Sequence, residues 1–138
     1  MTGRSSAEDA GVPARTGTNQ EAEIHLNITF PSGARIGPGK ARLLEGIRQT
    51  GSISAAAREL GMDYKRAWML LDSLDRAFDL PVVERKAGGP GGGGAALTAF
   101  GADVLDRYRR IEAGASALAQ EDLVALWRHA LPTAGTKV

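Results

Sequence analysis

Residues 51–71, Gly51-Ser52-Ile53-Ser54-Ala55-Ala56-Ala57-Arg58-Glu59-Leu60-Gly61-Met62-Asp63-Tyr64-Lys65-Arg66-Ala67-Trp68-Met69-Leu70-Leu71, decide the fold. Two short helices that cross over a tight turn constrain three positions. The first helix needs a small residue at the crossing, the turn needs one that tolerates positive φ, and the second helix needs a small apolar residue facing back. Ala57, Gly61 and Ala67 fill these places at spacings of four and six. Leu60, Met62 and Leu70 supply the apolar positions that close the unit. Ser52 is expected to cap a helix over 53–60 that Gly61 ends, and Asp63 to cap a helix from 64 to about 78. Ala67, Leu70, Leu71, Leu74 and Phe78 make the inward stripe of that second helix. The pattern predicts a helix-turn-helix. A purely structural corner of two helices uses similar small residues.

With the stripe inward, Lys65, Arg66, Met69, Asp72, Ser73 and Arg76 face outward, and Tyr64 and Trp68 lie on the flank. The leading end of a recognition helix meets base edges in the major groove. Lys65 and Arg66 have the chemistry to pair with guanine or phosphate oxygen, and Tyr64 to donate to a phosphate. Ser52 and Ser54 begin the preceding helix, where hydroxyls either hold a phosphate or simply cap.

Outward from this core, 23–30 alternates polar and apolar residues without a break, which predicts a half-buried strand. Pro31-Ser32-Gly33 is a turn, and residues 34–36 are expected to return beside the strand. Leu43, Leu44 and Ile47 place a helix over 40–50, stopped by Gly51. Downstream, Val82-Val83-Glu84-Arg85 reads as extended. The run Gly88-Gly89-Pro90-Gly91-Gly92-Gly93-Gly94 is expected to form neither helix nor packed strand, because it has no side chains to bury. Ala95-Ala96-Leu97 resumes an extended segment. Together these make the wing of a winged helix, with Arg85 and Lys86 entering it, or a flexible linker. Thr98 is expected to cap one long helix to about His129. Within it Val104, Tyr108, Ile111, Ala115 and Leu118 are spaced four, three, four and three, a seam for a partner helix.

The 138 residues suit one domain. We expect a disordered arm at 1–22, a winged domain with its C-terminal helix at 23–130, and a flexible tail at 131–138. Hydrophobic residues are 43% and aromatics 5%, so the core rests on Leu, Ile, Val and Ala. The fold class expected is mainly α with a small β component, a winged helix-turn-helix with a long C-terminal dimerisation helix. The absence of cysteine excludes disulfides and thiolate metal sites. No apolar run approaches the roughly 20 residues of a membrane span, and no secretory signal opens the chain. A cytoplasmic location, no membrane partner, no metal and no cofactor are expected. The net charge is only +1, but residues 35–110 hold 13 Lys and Arg against 9 Asp and Glu. A locally basic domain is compatible with nucleic acid.

Catalytic readings fail on their own terms. No Gly-Lys-Ser/Thr follows the glycine run, and Gly37-Pro38-Gly39-Lys40-Ala41 has Ala34 and Ala41 where a phosphate loop needs glycine and hydroxyl. His25 and His129 stand about 100 residues apart. Asp72, Asp75 and Asp79 fit a solvated face. The expectation is no enzyme. Asp72 and Asp75 beside the basic residues favour an alternative, a winged helix used for protein–protein contact or signalled through a separate partner.

Gly51-Ser52-Ile53-Ser54-Ala55-Ala56-Ala57, Tyr64-Lys65-Arg66-Ala67-Trp68, Val83-Glu84-Arg85 with its glycine run, and Leu97-Thr98-Ala99-Phe100-Gly101 together resemble the N-terminal DNA-binding domain of the ModE family. The LysR-type helix-turn-helix has a similar layout, including the Leu-Thr-x-x-Gly that opens the last helix. The resemblance spans about residues 23–126. It implies a homodimeric regulator on a two-fold-related operator in double-stranded DNA, with Tyr64, Lys65, Arg66, Arg85 and Lys86 touching it. The DNA face expected is thus Ser52, Ser54, Tyr64, Lys65, Arg66, Met69, Arg85 and Lys86. ModE proteins typically carry a molybdate-binding region, and no counterpart is found before Val138, so molybdate binding is not expected of this chain.

Overall fold

The computed structural model describes residues 21–89 and 92–132. The expected arm and tail lie almost wholly outside these residues. Two compact units are distinguished, Ile24–Ala115 and one that includes residues 116–132.

The first unit opens with a small hairpin, β1 (Ile28–Thr29) against β2 (Arg35–Ile36), antiparallel, with Ile28 opposite Ile36. Gly33 takes φ 94 in the connecting turn, where its N–H donates to the Phe30 carbonyl at 2.8 Å. The alternation is visible in burial. Ile24, Leu26, Ile28 and Phe30 are half-buried while His25, Asn27 and Thr29 are exposed. Yet only two of the eight expected residues are strand. The return strand is cut short by Gly37-Pro38, which start a helix, and the Leu26 carbonyl accepts from the Tyr108 hydroxyl at 2.7 Å instead of a strand neighbour.

Helix α1 (Pro38–Thr50) begins two residues earlier than expected, because Pro38 fits the first helical turn. It buries Ala41, Leu43, Leu44 and Ile47, and Gly51 ends it with φ 72 and an N–H bond to the Ile47 carbonyl. Helix α2 (Ile53–Glu59) follows. The Ser52 hydroxyl accepts from the Ala55 N–H at 3.0 Å, and Leu60 caps the other end. Gly61, at φ 71, makes the turn. Helix α3 (Tyr64–Asp75) is capped by Asp63, whose carboxylate accepts from the Arg66 N–H at 2.8 Å. Ala57 and Ala67 are both buried at the crossing. At Gly46 a Cβ would lie 2.8 Å from the Ala56 Cβ, so α1 and α2 approach closely only because that position is glycine.

The third helix stops three residues short of Phe78. Asp75 turns its carboxylate to the Val82 N–H at 3.2 Å, a side-chain bond that competes with continued helix. Phe78 still faces the core, edge-on between Phe30 at 4.9 Å and Phe100 at 5.1 Å.

The wing is β3 (Val83–Gly89) against β4 (Gly92–Leu97), in a sheet separate from the first hairpin. Val83 pairs with Leu97, Arg85 with Ala95, Lys86 with Gly94 and Gly89 with Gly92, with an irregularity between Lys86 and Gly89. Gly88, Gly89 and Gly92–Gly94 of the glycine run are therefore strand, against expectation, while Pro90 and Gly91 lie outside the described residues. A ladder is made by backbone groups and needs no buried side chain. Its base is fastened at several points. Ala95 N–H donates to the Gly51 carbonyl at 2.9 Å, and Thr98 N–H to the Val82 carbonyl at 3.0 Å.

Helix α4 (Ala99–Leu118) opens on Thr98, whose hydroxyl accepts from the Gly101 N–H at 2.8 Å. A Cβ on Gly101 would stand 1.9 Å from the Val82 carbonyl oxygen. That contact explains the glycine of Leu-Thr-x-x-Gly: α4 touches the wing base backbone directly. Gly101, Leu105 and Tyr108 are buried. Tyr108, expected on the partner seam, is 2% exposed within its own chain. Its hydroxyl is spent on Leu26, so it belongs to this core. Burial, with Glu112 adding to it, pushes its phenol above the usual range.

The single long helix expected to about His129 is two helices. Ala119, at φ −93 and ψ 4, separates α4 from α5 (Gln120–Trp127). Nothing in the alanine side chain explains the break. Leu118 is 89% exposed. Among the described residues no helix is long and apolar enough to cross a membrane.

Candidate nucleic-acid interface

Helix α3 advances about 100° per residue. Its buried stripe of Ala67, Leu71 and Leu74 leaves Lys65, Met69 and Asp72 on the opposite face. Met69 is 62% exposed and Tyr64 51%, a large apolar and an amphipathic side chain held in water at the helix's leading half. Tyr64 and Trp68 lie to one side of this face, and Arg66 and Leu70 to the other.

On the first side the wing comes close. The Arg85 guanidinium carbon sits 3.7 Å from the centroid of the Trp68 ring, and Tyr64 meets Trp68 edge-on at 5.9 Å. A cation over an indole face is attracted by the ring quadrupole. The contact fixes a wing cation beside the recognition helix. Ser52, Ser54, Tyr64, Trp68, Arg85 and Lys86 surround a cleft of about 170 Å³. The two serine hydroxyls lie 3.2 Å apart at its edge.

Five of the eight residues expected on the DNA face thus line one cleft. Lys65 and Met69 sit on the open face beside it. Arg66 does not join them, because two residues of helix carry it to the far flank, where it lines a second cleft with Arg35 and Lys40. Trp68 enters as the platform for Arg85. The sequence marks it only as a flank residue, since its partner lies 17 positions on. Arg35 and Lys40 carry no local signal at all.

Charge pairing separates the surfaces. Arg48, Arg76, Arg107 and Arg109 are paired with carboxylates. Lys65, Arg66, Arg85 and Lys86 have no ion-pair partner among the described residues. Asp72 is taken up by Arg76, and Asp75 by the Val82 N–H. The acidic residues of α3 are therefore engaged behind its cationic leading end. No group of three His, Asp or Glu suited to a metal ion occurs among the described residues.

Two helices joined by a glycine turn, the second exposed and flanked by a basic wing, define a winged helix-turn-helix. Residues 39–102, from α1 into α4, match the family of bacterial regulatory helix-turn-helix proteins, lysR family. The molybdenum-pterin-binding protein MopB of Rhodobacter capsulatus is 46% identical over 87 residues, 63% of this chain and 32% of that protein. The transcriptional regulator ModE of Haemophilus influenzae is 38% identical over 93 residues, 67% of this chain and 36% of that protein. The DNA-binding transcriptional dual regulator ModE of Escherichia coli K12 is 36% identical over 88 residues, 64% of this chain and 34% of that protein. The chain spans about a third of the length of these curated relatives. Its winged helix-turn-helix is thus similar to the lysR-family helix-turn-helix and to the matching third of the ModE regulators.

Proposed function

We propose that this chain is a sequence-specific DNA-binding transcription regulator of the ModE type, without enzymatic activity and acting in the cytoplasm. The leading half of α3 enters the major groove, and the wing lies along the adjacent backbone. The observation that carries this reading is the convergence of Ser52, Ser54, Tyr64, Arg85 and Lys86 on one cleft beside exposed Lys65 and Met69. The pairing of Asp72 with Arg76 and the bond of Asp75 to the Val82 N–H support this reading over a protein-contact surface. No molybdenum ligand is carried over from the names of the relatives.

The regulator acts as a homodimer on a two-fold-related operator. Supporting this, Val104 and Ile111 of α4 border an apolar groove of about 220 Å³ with Ile28 and Phe30. Ile111 is 48% exposed, and Ala115 continues the same face one turn on. Leu118 is exposed in its own unit. A dimer would set its recognition helices roughly 34–36 Å apart on successive major-groove faces.

The test is selection from a random-sequence library followed by fluorescence anisotropy across a salt series, with Lys65→Ala/Arg66→Ala beside wild type. Selective binding that weakens steeply with salt and is lost in the double variant is expected. Failure to enrich any duplex would sink the reading. Sedimentation at micromolar concentration checks the dimer: wild type runs as a dimer and Ile111→Glu as a monomer, and a monomeric wild type refutes the homodimer.

A further inference from the structure

The second cleft, on the far flank of α3, encloses about 240 Å³ and is lined by Arg35, Lys40, Arg66, Asn27 and Gly39 among others, with no carboxylate. Arg35 comes from β2 and is exposed, and its side chain has no hydrogen-bond or ion-pair partner among the described residues. Lys40 stands at the start of α1. Its ammonium donates to the Arg35 carbonyl and, at 3.0 Å, to the Ser73 hydroxyl, which holds it beside Arg35. Burial, and then the charge of Arg35, keep the Lys40 amine below its usual range. Two segments remote in sequence, residues 35–40 and α3, thus bring three cations to one concavity without a counter-charge among its lining residues. Such a surface attracts an anion.

We infer that this cleft receives a backbone phosphate of duplex DNA, on the strand across the major groove from the strand that the wing reaches. The inference rests on the DNA-binding reading above. A helix in the major groove, roughly 12 Å wide, has a sugar-phosphate strand on each side. Helix α3 has a basic cleft on each side: Arg85 and Lys86 beside Tyr64 and Trp68, and Arg35 and Lys40 beside Arg66. The first turn of α1 leaves the approach open, since a Cβ on Gly39 would meet nothing within 4 Å. The two clefts clamp the helix from both strands. The contacts position the protein and carry no base preference.

The test uses the full chain with two probes, a duplex selected by the wild type and a mixed-sequence duplex. Arg35→Ala should weaken both several-fold and by similar factors, and reduce the slope of log affinity against log salt by about 0.9, the share of one phosphate. Arg35→Lys should restore most of the loss, and thermal melting of both variants should match wild type. Methylphosphonate substitution along the selected duplex then locates the contact. The phosphate whose neutralisation no longer matters to Arg35→Ala should lie on the strand opposite the one that no longer matters to Lys86→Ala. Wild-type affinity and slope in Arg35→Ala, with Lys65→Ala/Arg66→Ala still defective, would overturn this inference and leave the DNA reading standing. Both phosphates on one strand would also overturn it. A wild type that binds neither duplex removes both.

Discussion

The hairpin before α1 and the wing after α3 are both antiparallel pairs, yet they invert what their sequences suggest. The first has unbroken polar–apolar alternation over eight residues and pairs only Ile28–Thr29 with Arg35–Ile36. The wing has a glycine-rich tip and pairs from Val83 and Leu97 out to Gly89 and Gly92. Alternation reports which side chains meet a core, and those of the first hairpin do. Ladder length reports whether backbone N–H and C=O groups find partners, and there the wing does better because its base is held at Gly51, Val82 and Pro81. The first hairpin is therefore held to the core by side chains, and the wing by backbone bonds as well as by buried Val83 and Ala95. The first closes the aromatic row of Phe30, Phe78 and Phe100. Both also bring cations beside α3, Arg35 from the first and Arg85 and Lys86 from the second.

That contrast breaks most visibly at Gly101. Because a Cβ there would collide with the Val82 carbonyl, Gly101→Ala should force α4 off the wing base and cost about 3 kcal/mol, the upper end for overpacking. Urea denaturation measures it. Helix propensity alone favours alanine by about 1 kcal/mol, so a stabilised variant would show that backbone contact does not fasten the wing. Phe30→Ala addresses the other hairpin. Phe30 is only half-buried, so the loss should be about 2 kcal/mol, below that of a fully buried ring. A variant as stable as wild type would show that side-chain packing does not hold this hairpin to the core.

The legible part of the fold was the part written in neighbouring residues. Ser52, Asp63, Gly51 and Gly61 act on backbone groups within four positions, so the caps and the turn could be read directly. Spacing along the last helix was harder. The period that joins Val104, Ile111 and Ala115 also takes in Tyr108, and nothing local tells a residue facing its own core from one facing a partner. The Tyr108 hydroxyl bond to Leu26, 82 positions away, decides it. The candidate site divides in the same way. Lys65 and Met69 follow from the helix period. The Arg85–Trp68 stack and the grouping of Arg35, Lys40 and Arg66 are products of tertiary folding and had no sequence signal.

The smallest expected effect tests the link between the wing and α3. The attraction of Arg85 for the Trp68 face uses the charge of the guanidinium and leaves its N–H donors available to a phosphate. The stack therefore holds the wing cation ready for DNA rather than consuming it. A double-mutant cycle of Trp68→Leu and Arg85→Ala, read in DNA affinity at one salt concentration, should give a coupling of about 0.5–1 kcal/mol, the range for an exposed cation–π pair. Each single change should weaken binding, and Arg85→Ala should lose less when Trp68 is already gone. Only the Arg85 change should lower the salt slope, since Trp68 meets no phosphate. Strict additivity would mean that Arg85 reaches DNA unaided, and the wing would then be positioned by its backbone anchors alone.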